Sequence, residues 1–417
     1  MFRAFVAFAV LFGLLAPVTA APPRTKADPD PKSLRVPAEE LSKARELVQK
    51  LGSEAFHERE TAERDLAAMG RFARLALLDG VNLDPDPEVR ARCRLLLPRA
   101  NAEELSARLD AFLADTEGKF DHDLPGWHKL RAVVRGEWEI LGHTFAARPT
   151  ADRAARELFI EFIKTPGGKK LLTALGGPPG ELGQLVAARK TELYQMKYPR
   201  GSGGTPRNPT VTEVAVVVFA ESQVHSRSVP RSSPLTTVLT TSGIQGALQG
   251  GDERAAALRA VMNAWFDSRV DAPDLYSALA LANNLKNDEA AGRLAGRILN
   301  TAGIQGYYKG QALMTLVRLK DADHLAAIEK SFTDSTALTT TVKIVNGMQV
   351  RQTIEVRDAA LAAALVLTGQ NPEDYGFDAF PKGGPPGANF SYAWAKIHED
   401  KRKEAFEKWG AWRERNP

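Results

Sequence analysis

The sequence predicts a mostly α-helical protein, an α-α superhelix of paired helices with one late β-hairpin. Apolar residues recur at intervals of three and four along most of the chain, as on one face of a helix. Helix-pair patterns occur near both ends, which favours a stacked array over a single bundle. Residues 338–356 are instead rich in β-branched residues around Asn346-Gly347, which is typical of a hairpin.

The first 20 residues have the pattern of a secretory signal. Arg3 precedes an apolar run that ends at Leu15, and Val18-Thr19-Ala20 supplies small residues suited to cleavage. A membrane anchor is the alternative, but the run is shorter than a membrane span and Pro17 interrupts it. We therefore expect an exported protein, periplasmic or extracellular, with residues 21–37 as a disordered tether rich in proline and charge.

Two amphipathic helices are predicted at the start of the N-terminal helical half, residues 38–196. The first should end at Gly52, and the second should begin near Phe56 and end at Gly70. Their apolar stripes consist of Leu41, Ala44, Leu47, Val48 and Leu51 in the first, and Ala62, Leu66 and Met69 in the second. Both stripes predict a face turned to the core.

A third helix should begin with Asp86 as its N-cap and Pro87 at its first position, where proline's missing N–H costs nothing. We expect Pro98 to end it. Asp86, Pro87, Val89 and Arg90 resemble the start of the inner helix of a HEAT or armadillo-type repeat. That resemblance implies an architecture of stacked helical pairs, on which many unrelated activities occur.

The remainder of the N-terminal half continues the helical pattern. One predicted helix runs from Trp127 to Leu141, and another follows Arg153 with Leu158, Phe159 and Phe162 on one side. The segments LPGW and RAARELF are similar to those of exported bacterial proteins of unassigned function. This similarity supports the helical assignment and implies no mechanism.

Residues 197–234 form a region rich in Gly, Ser, Pro and Arg, which we interpret as loops and as the boundary between two helical halves. One apolar run, 211–220, is a buried helix or a strand, and its helical neighbours favour a helix. The region has a net positive charge from Lys197, Arg200, Arg207, Arg227 and Arg231 against Glu213 and Glu221. It is a candidate anionic contact surface, with a solvated loop as the favoured interpretation.

The C-terminal half, residues 235–417, begins with further helical pairs. Ala255, Leu258, Val261, Met262 and Trp265 form one stripe, and Leu275, Leu279 and Leu281 form the next. A short break at 320–323 separates two more helices. After the hairpin, an alanine-rich helix, an irregular loop and a terminal helix are expected, and Phe406, Trp409 and Trp412 should dock on the array.

The hairpin could have a two-residue or a three-residue loop. A two-residue loop pairs Val345 with Met348 and splits the apolar side chains between both faces. A three-residue loop pairs Ile344 with Met348 and gathers Leu338, Val342, Ile344, Val350 and Ile354 on one face. We therefore expect the three-residue loop, with Gly347 at positive φ.

Cys93 is the only cysteine, so the chain has no internal disulfide and depends on its core for stability. Its place on the apolar side of a predicted helix indicates a small core residue rather than a nucleophile. The net charge of +4 is small for 417 residues. Together with export, it argues against nucleic acid as a partner and leaves attraction to anionic envelope polymers open.

No motif for a nucleophile, a phosphate loop or a bound cofactor occurs. The densest ionisable cluster is His122, Asp123, His128 and His143, in which His128 and His143 should lie about 20 Å apart along a helix. Only the first three could share a metal, and we favour surface histidines. Glu355 and Asp358 are interpreted as a helix cap rather than an acid–base pair.

These observations predict an exported helical-repeat binding or scaffolding module, with no catalytic, cofactor or metal residue assigned. Its partner would be a protein or an envelope polymer, without nucleic acid and without stable membrane insertion after signal removal. Two alternatives remain. One is a hydrolase-like enzyme with a site assembled from dispersed residues, and the other is a structural component of the cell envelope.

Overall fold

The computed structural model describes residues 27–136, 139–140, 143–144, 152–199, 205–224, 235–240, 242–320, 322–345, 348–380 and 390–416. Within them the protein is mostly helical, with a two-stranded antiparallel sheet late in the chain, as predicted. Contacts divide the chain into two compact units, one ending at His122 and the other beginning at Asp123. The predicted boundary at 197–234 lies within the second unit, and a division into halves there stays a prediction.

The described part of the first unit contains four α-helices: α1 (Ala38–Lys50), α2 (Phe56–Met69), α3 (Arg74–Leu83) and α4 (Pro87–Ala114). The predicted stripes of α1 and α2 supply its core, where Ala44, Leu51, Ala62 and Leu66 are buried. Gly70 follows α2 at a φ of 55°, which only glycine adopts easily. The two predicted helices and their glycine ends are confirmed.

Helix α4 begins as predicted but continues past Pro98. The Asp86 carboxylate accepts a hydrogen bond from the Glu88 N–H, and Pro87 occupies the first turn. The expectation that Pro98 ends the helix is wrong. Pro98 lies on the exposed side, so water can solvate the carbonyl it leaves unbonded, while Ala100 and Phe112 are buried further along the same helix. The packing of that later segment outweighs the local cost of proline.

The second unit begins with α5 (Trp127–Arg135), which is shorter than predicted. Gly136 follows it at a φ of 76°, and its N–H bonds to the carbonyls of Ala132 and Val133. A left-handed glycine of this kind ends a helix. Residues 139–140 and 143–144 then pair as two short strands, β1 (Glu139–Ile140) and β2 (His143–Thr144). The expectation of a helix from Trp127 to Leu141 is therefore wrong.

Further helices of the second unit precede a late hairpin. They are α6 (Asp152–Lys164), α7 (Gly168–Ala174), α8 (Pro179–Lys197), α9 (Val211–Ser222), α10 (Thr236–Leu239), α11 (Ser242–Gln249), α12 (Glu253–Asp267), α13 (Ala272–Asn284), α14 (Asp288–Asn300), α15 (Gly306–Leu319) and α16 (Leu325–Lys330). The hairpin and the last two helices are β3 (Ala337–Val345), β4 (Met348–Glu355), α17 (Val356–Leu367) and α18 (Glu399–Arg415).

The apolar run at 211–220 is a helix, α9, as favoured from its surroundings. Thr210 and Glu213 form a capping box at its start, in which each side chain bonds the other residue's backbone N–H. Every residue from Glu213 to Glu221 is buried. A helix that is apolar on all sides has to lie in the interior, and α9 packs against α6, α7, α8 and α12.

Helices α13, α14 and α15 pack mainly on one another in sequence order. Helix α13 packs on α14, α14 on α15, and α15 on α17. Helix α12 differs, because it packs mainly on the earlier α9 and α5 and also contacts α6. The predicted stripes hold, since Leu258, Trp265 and Leu279 are all buried.

The hairpin has a two-residue connection, so the predicted three-residue loop is wrong. Val345 pairs with Met348, and Val342 pairs with Arg351. The predicted gathering of apolar residues on one face of the hairpin requires one unbroken register. The observed register is interrupted, because Leu338 is an extra residue between the pairs Ala337–Glu355 and Thr339–Ile354. This bulge lets both Leu338 and Ile354 be buried, whereas Val342 is 53% exposed. The predicted positive φ of Gly347 falls outside the described residues.

Helices α17 and α18 close the second unit. Residues 358–366 of α17 are all buried, and its alanines let the neighbouring helices approach closely. Phe406 and Trp409 of α18 lie edge-on to Phe332, with ring centroids 5.2 and 5.8 Å away. Arg402 of α18 bonds both carboxylate oxygens of Asp358. The predicted docking is confirmed for Phe406 and Trp409, whereas Trp412 packs on Trp409 of the same helix.

Among the described helices, none is both long enough and apolar enough to span a membrane. The predicted signal segment, residues 1–20, lies outside the described residues, and export stays a prediction.

Candidate functional site: a tyrosine surface

Four tyrosines from three parts of the second unit lie together at its surface. Tyr276 comes from α13, Tyr307 and Tyr308 from the first turn of α15, and Tyr392 from the short 3-10 helix 392–394. We call these four residues the tyrosine surface. Tyr307 is 42% exposed, and the other three rings are half-buried. Half-buried tyrosines present both ring and hydroxyl to a partner.

Three of these rings pack against one another. Tyr276 and Tyr308 are stacked, with centroids 4.2 Å apart and planes 24° from parallel. Tyr307 lies 6.0 Å from Tyr276 and 5.8 Å from Tyr308, with its plane turned by 61° and 66°. Stacked and edge-to-face contacts are the favourable arrangements of aromatic rings, so this geometry is stable before any ligand binds.

Two glycines on α15 allow β3 and Tyr392 to approach this helix closely. A Cβ atom on Gly306 would lie 2.3 Å from the carbonyl oxygen of Ala337 in β3. A Cβ atom on Gly310 would lie 2.6 Å from Leu338 Cδ2 and 2.9 Å from the Tyr392 ring. The absence of side chains at both positions therefore lets the root of the hairpin and Tyr392 settle directly on α15.

The hydroxyls of Tyr276 and Tyr392 remain protonated at neutral pH. The hydrogen bond with Tyr307 raises the pKa of Tyr276 above its ordinary value near 10, and burial adds to this effect. Burial likewise raises the pKa of Tyr392, against a smaller opposite effect of its hydrogen bond with Gln311. Each of these two hydroxyls is therefore a neutral group that can donate or accept a hydrogen bond.

A second cluster is a buried ionic network centred on Glu221 of α9. Its carboxylate accepts hydrogen bonds from Lys190 Nζ at 2.7 Å and from Trp265 Nε1 at 2.8 Å. The Arg269 guanidinium lies 3.7 Å away and stacks over the Trp265 ring. Burial alone would raise the pKa of Glu221, but Lys190 and Arg269 together lower it. The network joins α8, α9 and α12 through paired charges, which is a structural role.

The arginines of α14 form a related cluster at the end of α12. Arg293 bonds the Asp267 carboxylate, and Arg297 donates to the backbone carbonyls of Asp267 and Arg269. Cations placed at the last carbonyls of a helix complement its dipole and satisfy unpaired acceptors. This cluster therefore fixes α14 against the end of α12.

The histidines that formed the densest ionisable cluster in the sequence have different environments. The expectation of a surface histidine is wrong for His122, which is buried with its Nε2 3.0 Å from Asp115 Oδ2 and its ring edge-on to Phe112. Asp123 and His128 are exposed, and His143 pairs with Ile140 in the β1–β2 ladder rather than following a long helix. Across the described ranges, no three His, Cys, Asp or Glu side chains gather as metal ligands would.

The other candidate residues from the sequence have roles in holding the fold together. Glu355 and Asp358 form the capping box of α17, so their interpretation as a cap is confirmed. Cys93 is fully buried, as predicted, and burial raises the pKa of its thiol to about 11. Of the basic residues in 197–234, Lys197 bonds the Thr237 carbonyl and Arg207 pairs with Glu213. Arg200, Arg227 and Arg231 lie outside the described residues.

The tyrosine surface was not predicted from the sequence. Its members are separated by 31 residues between Tyr276 and Tyr307 and by 84 residues between Tyr308 and Tyr392, and no periodicity connects them. The adjacent pair Tyr307-Tyr308 at the start of a helix was the single local signal. Only the packing of α13 and the 3-10 helix against α15 brings the four rings together.

Comparisons with protein-family models, with curated proteins and with solved structures found no match for this chain.

Proposed function

We propose that the protein is an exported, helical-repeat binding module that holds its partner on the tyrosine surface. The observation that carries this proposal is the gathering of Tyr276, Tyr307, Tyr308 and Tyr392 at one exposed place. Interfaces are enriched in tyrosine because its ring offers a large contact area and its hydroxyl offers specificity, at a small cost in side-chain entropy.

The mounting of the rings also supports a binding role. Leu275, Ala278 and Leu279 of α13 and Ala312, Leu313 and Leu316 of α15 are all buried. The tyrosines thus stand on rigid helices, so little ordering is needed when a ligand binds. The Lys309 ammonium, next to the tyrosine pair, bonds the Asp334 carboxylate and anchors the start of α15 to the segment before β3.

Two further features agree with an exported repeat module. The order in which α13, α14 and α15 pack is the nearest-neighbour order of a helical array, and α4 begins with the Asp86 cap and Pro87 on which the resemblance to a repeat rests. The N-terminal pattern at Arg3, Leu15 and Ala20 directs export. We expect the mature chain to begin at Ala21, and N-terminal sequencing of the native protein tests this. A retained Met1 in a membrane fraction would contradict it.

Co-sedimentation with isolated cell envelopes tests the binding role. The native protein should sediment with the envelopes, and Tyr307→Ala combined with Tyr308→Ala should lose most of that binding. Tyr198→Ala is the matched control, because Tyr198 is 44% exposed and packs its ring against Tyr194, 5.0 Å away. Equal sedimentation of the three proteins, or none by the native protein, would refute a binding role for the tyrosine surface.

A further inference from the structure

We infer that the tyrosine surface binds a neutral oligosaccharide whose sugar rings present flat apolar faces, as chains of β-linked glucose do. The inference rests on the proposed binding function and names its ligand. It follows from the spacing of the rings, from the polar groups beside them, and from the state of the nearby charges.

The spacing of the tyrosine rings favours a ligand that lies on one ring face, which we call the aromatic platform, over a ligand ring inserted between two faces. A ring held between two aromatic faces needs these faces about 7 Å apart, twice the usual carbon–carbon contact distance. Tyr276 and Tyr308 are only 4.2 Å apart, and Tyr307 closes against both. The three rings therefore leave no slot for a proline side chain, which polyproline-binding surfaces provide. A flat ligand can instead lie on the exposed Tyr307 ring.

The polar groups beside the platform match a ligand rich in hydroxyls. The Tyr276 hydroxyl interacts with Tyr307, and the Tyr392 hydroxyl interacts with Gln311. The raised pKa values of Tyr276 and Tyr392 keep those hydroxyls protonated. The hydroxyl and amide groups of the protein can each donate and accept hydrogen bonds, as sugar hydroxyls do. The protein and the sugar can therefore form hydrogen bonds with each other without burying an unpaired charge.

The charges of the two helices argue against an anionic ligand. Helix α13 contains no lysine or arginine. Helix α15 contains only Lys309, which bonds Asp334 and is 8% exposed, and Arg318, which bonds Asp288 and Asn283. Nucleic acids and acidic polysaccharides are bound by accessible cations, which neutralise their charge. A neutral sugar chain needs none, and it matches both the aromatic rings and the neutral polar groups.

Titration calorimetry with cellohexaose tests the inference on the intact protein. The native protein should bind the sugar with an affinity that changes little with salt. Tyr307→Ala should weaken binding at least about tenfold, the loss of a central aromatic contact. Tyr307→Phe keeps the ring and loses one hydroxyl, so it should weaken binding only about two- to fivefold. Tyr198→Ala should bind as the native protein does, and thermal melts should show all three variants folded.

Two further probes separate the possible outcomes. Binding of a proline decapeptide or of heparin, without binding of cellohexaose, would overturn the sugar assignment and identify a peptide or polyanion surface. Binding of cellohexaose that survives Tyr307→Ala would also overturn it, because the sugar would then lie elsewhere. If no probe binds while envelope sedimentation still depends on Tyr307 and Tyr308, the sugar inference fails and the binding function stands.

Discussion

Gly80 of α3 and Cys93 of α4 approach so closely that a Cβ atom added to the glycine would lie 2.7 Å from the Cys93 sulfur. Real Cβ atoms essentially never come that near to another heavy atom. The same added atom would lie 3.0 Å from Val48 Cγ1 of α1. Three helices of the first unit thus meet where one residue lacks a side chain and another has a small one.

Gly80→Ala should therefore destabilise the protein by about 1 to 3 kcal/mol through overpacking, although alanine is the better helix former. Denaturant unfolding measures the change. Gly246→Ala is the control, because Gly246 is an exposed glycine of α11 with no atom near the added Cβ, and its replacement should be neutral or stabilising. Adding Cys93→Ala to Gly80→Ala should recover part of the loss. Additive losses in the double variant would mean that the two residues do not contact.

Cys93 itself provides a test of the buried core. Cys93→Asp should place a carboxylate where the side chain is fully buried and should cost several kcal/mol. Cys93→Ala should cost much less, because it leaves only a small cavity. Thermal melts of the two variants compare the costs, and equal small shifts would mean that this side chain faces solvent.

Glu221 should be essential for stability because it compensates the buried Arg269 and the partly buried Lys190. Glu221→Ala should cost about 3 to 5 kcal/mol, since Lys190 and Arg269 would lose their shared partner in the interior. Glu221→Gln combined with Lys190→Met should cost less than the sum of the single changes. Chemical denaturation measures these effects. Glu157→Gln is the control, because Glu157 belongs to an exposed pair with Arg153, and its loss should stay within about 0.5 kcal/mol.

Asp152 should make the stability depend on acid pH. Arg131 and then Arg135, each bonding both carboxylate oxygens, lower its pKa from 3.8 to about 2. A lowered pKa in the folded state adds stability above pH 4, and this stability disappears as the pH falls toward 2. The side chain is 47% exposed, so solvent screening reduces the contribution to about 1 kcal/mol.

Unfolding of Asp152→Asn and of the native protein, compared from pH 6 to about pH 2, measures this contribution. The native protein should be more stable at pH 6, and the difference should vanish near pH 2. Salt should shrink the difference at pH 6. A difference that is independent of pH would mean that the ion pairs with Arg131 and Arg135 do not stabilise the fold.

The hairpin register can be tested by crosslinking. In the observed register Val342 lies opposite Arg351, so cysteines placed at 342 and 351 in a Cys93→Ala background should form a disulfide readily. Cysteines at 342 and 350 would be opposite only with a three-residue loop. Mass spectrometry of the oxidised variants counts the crosslinks. Preferential crosslinking of 342 with 350 would contradict the two-residue connection.

Local patterns were enough to predict most helices of this protein. The signals that start and end these helices involve contacts between residues no more than four apart in sequence. They include the Asp86-Pro87 start of α4, the glycines after α1 and α2, and the capping pair of Glu355 and Asp358. Cys93 and Trp409 could be assigned to the core because each lies on the apolar face of an amphipathic helix, and such a face packs against other elements of the fold.

Contacts between distant residues decided the rest. Pro98 stays within α4 because later residues of that helix are packed, and the bulge at Leu338 sets the hairpin faces because the root of β3 rests on Gly306 and Gly310. The tyrosine surface and the Glu221 network depend on helices far apart in sequence. The sequence by itself determined where helices begin and which sides they bury. Which side chains meet depended on tertiary packing, because ring stacking and ion pairing act over a few ångströms between segments whose spacing carries no periodic signal.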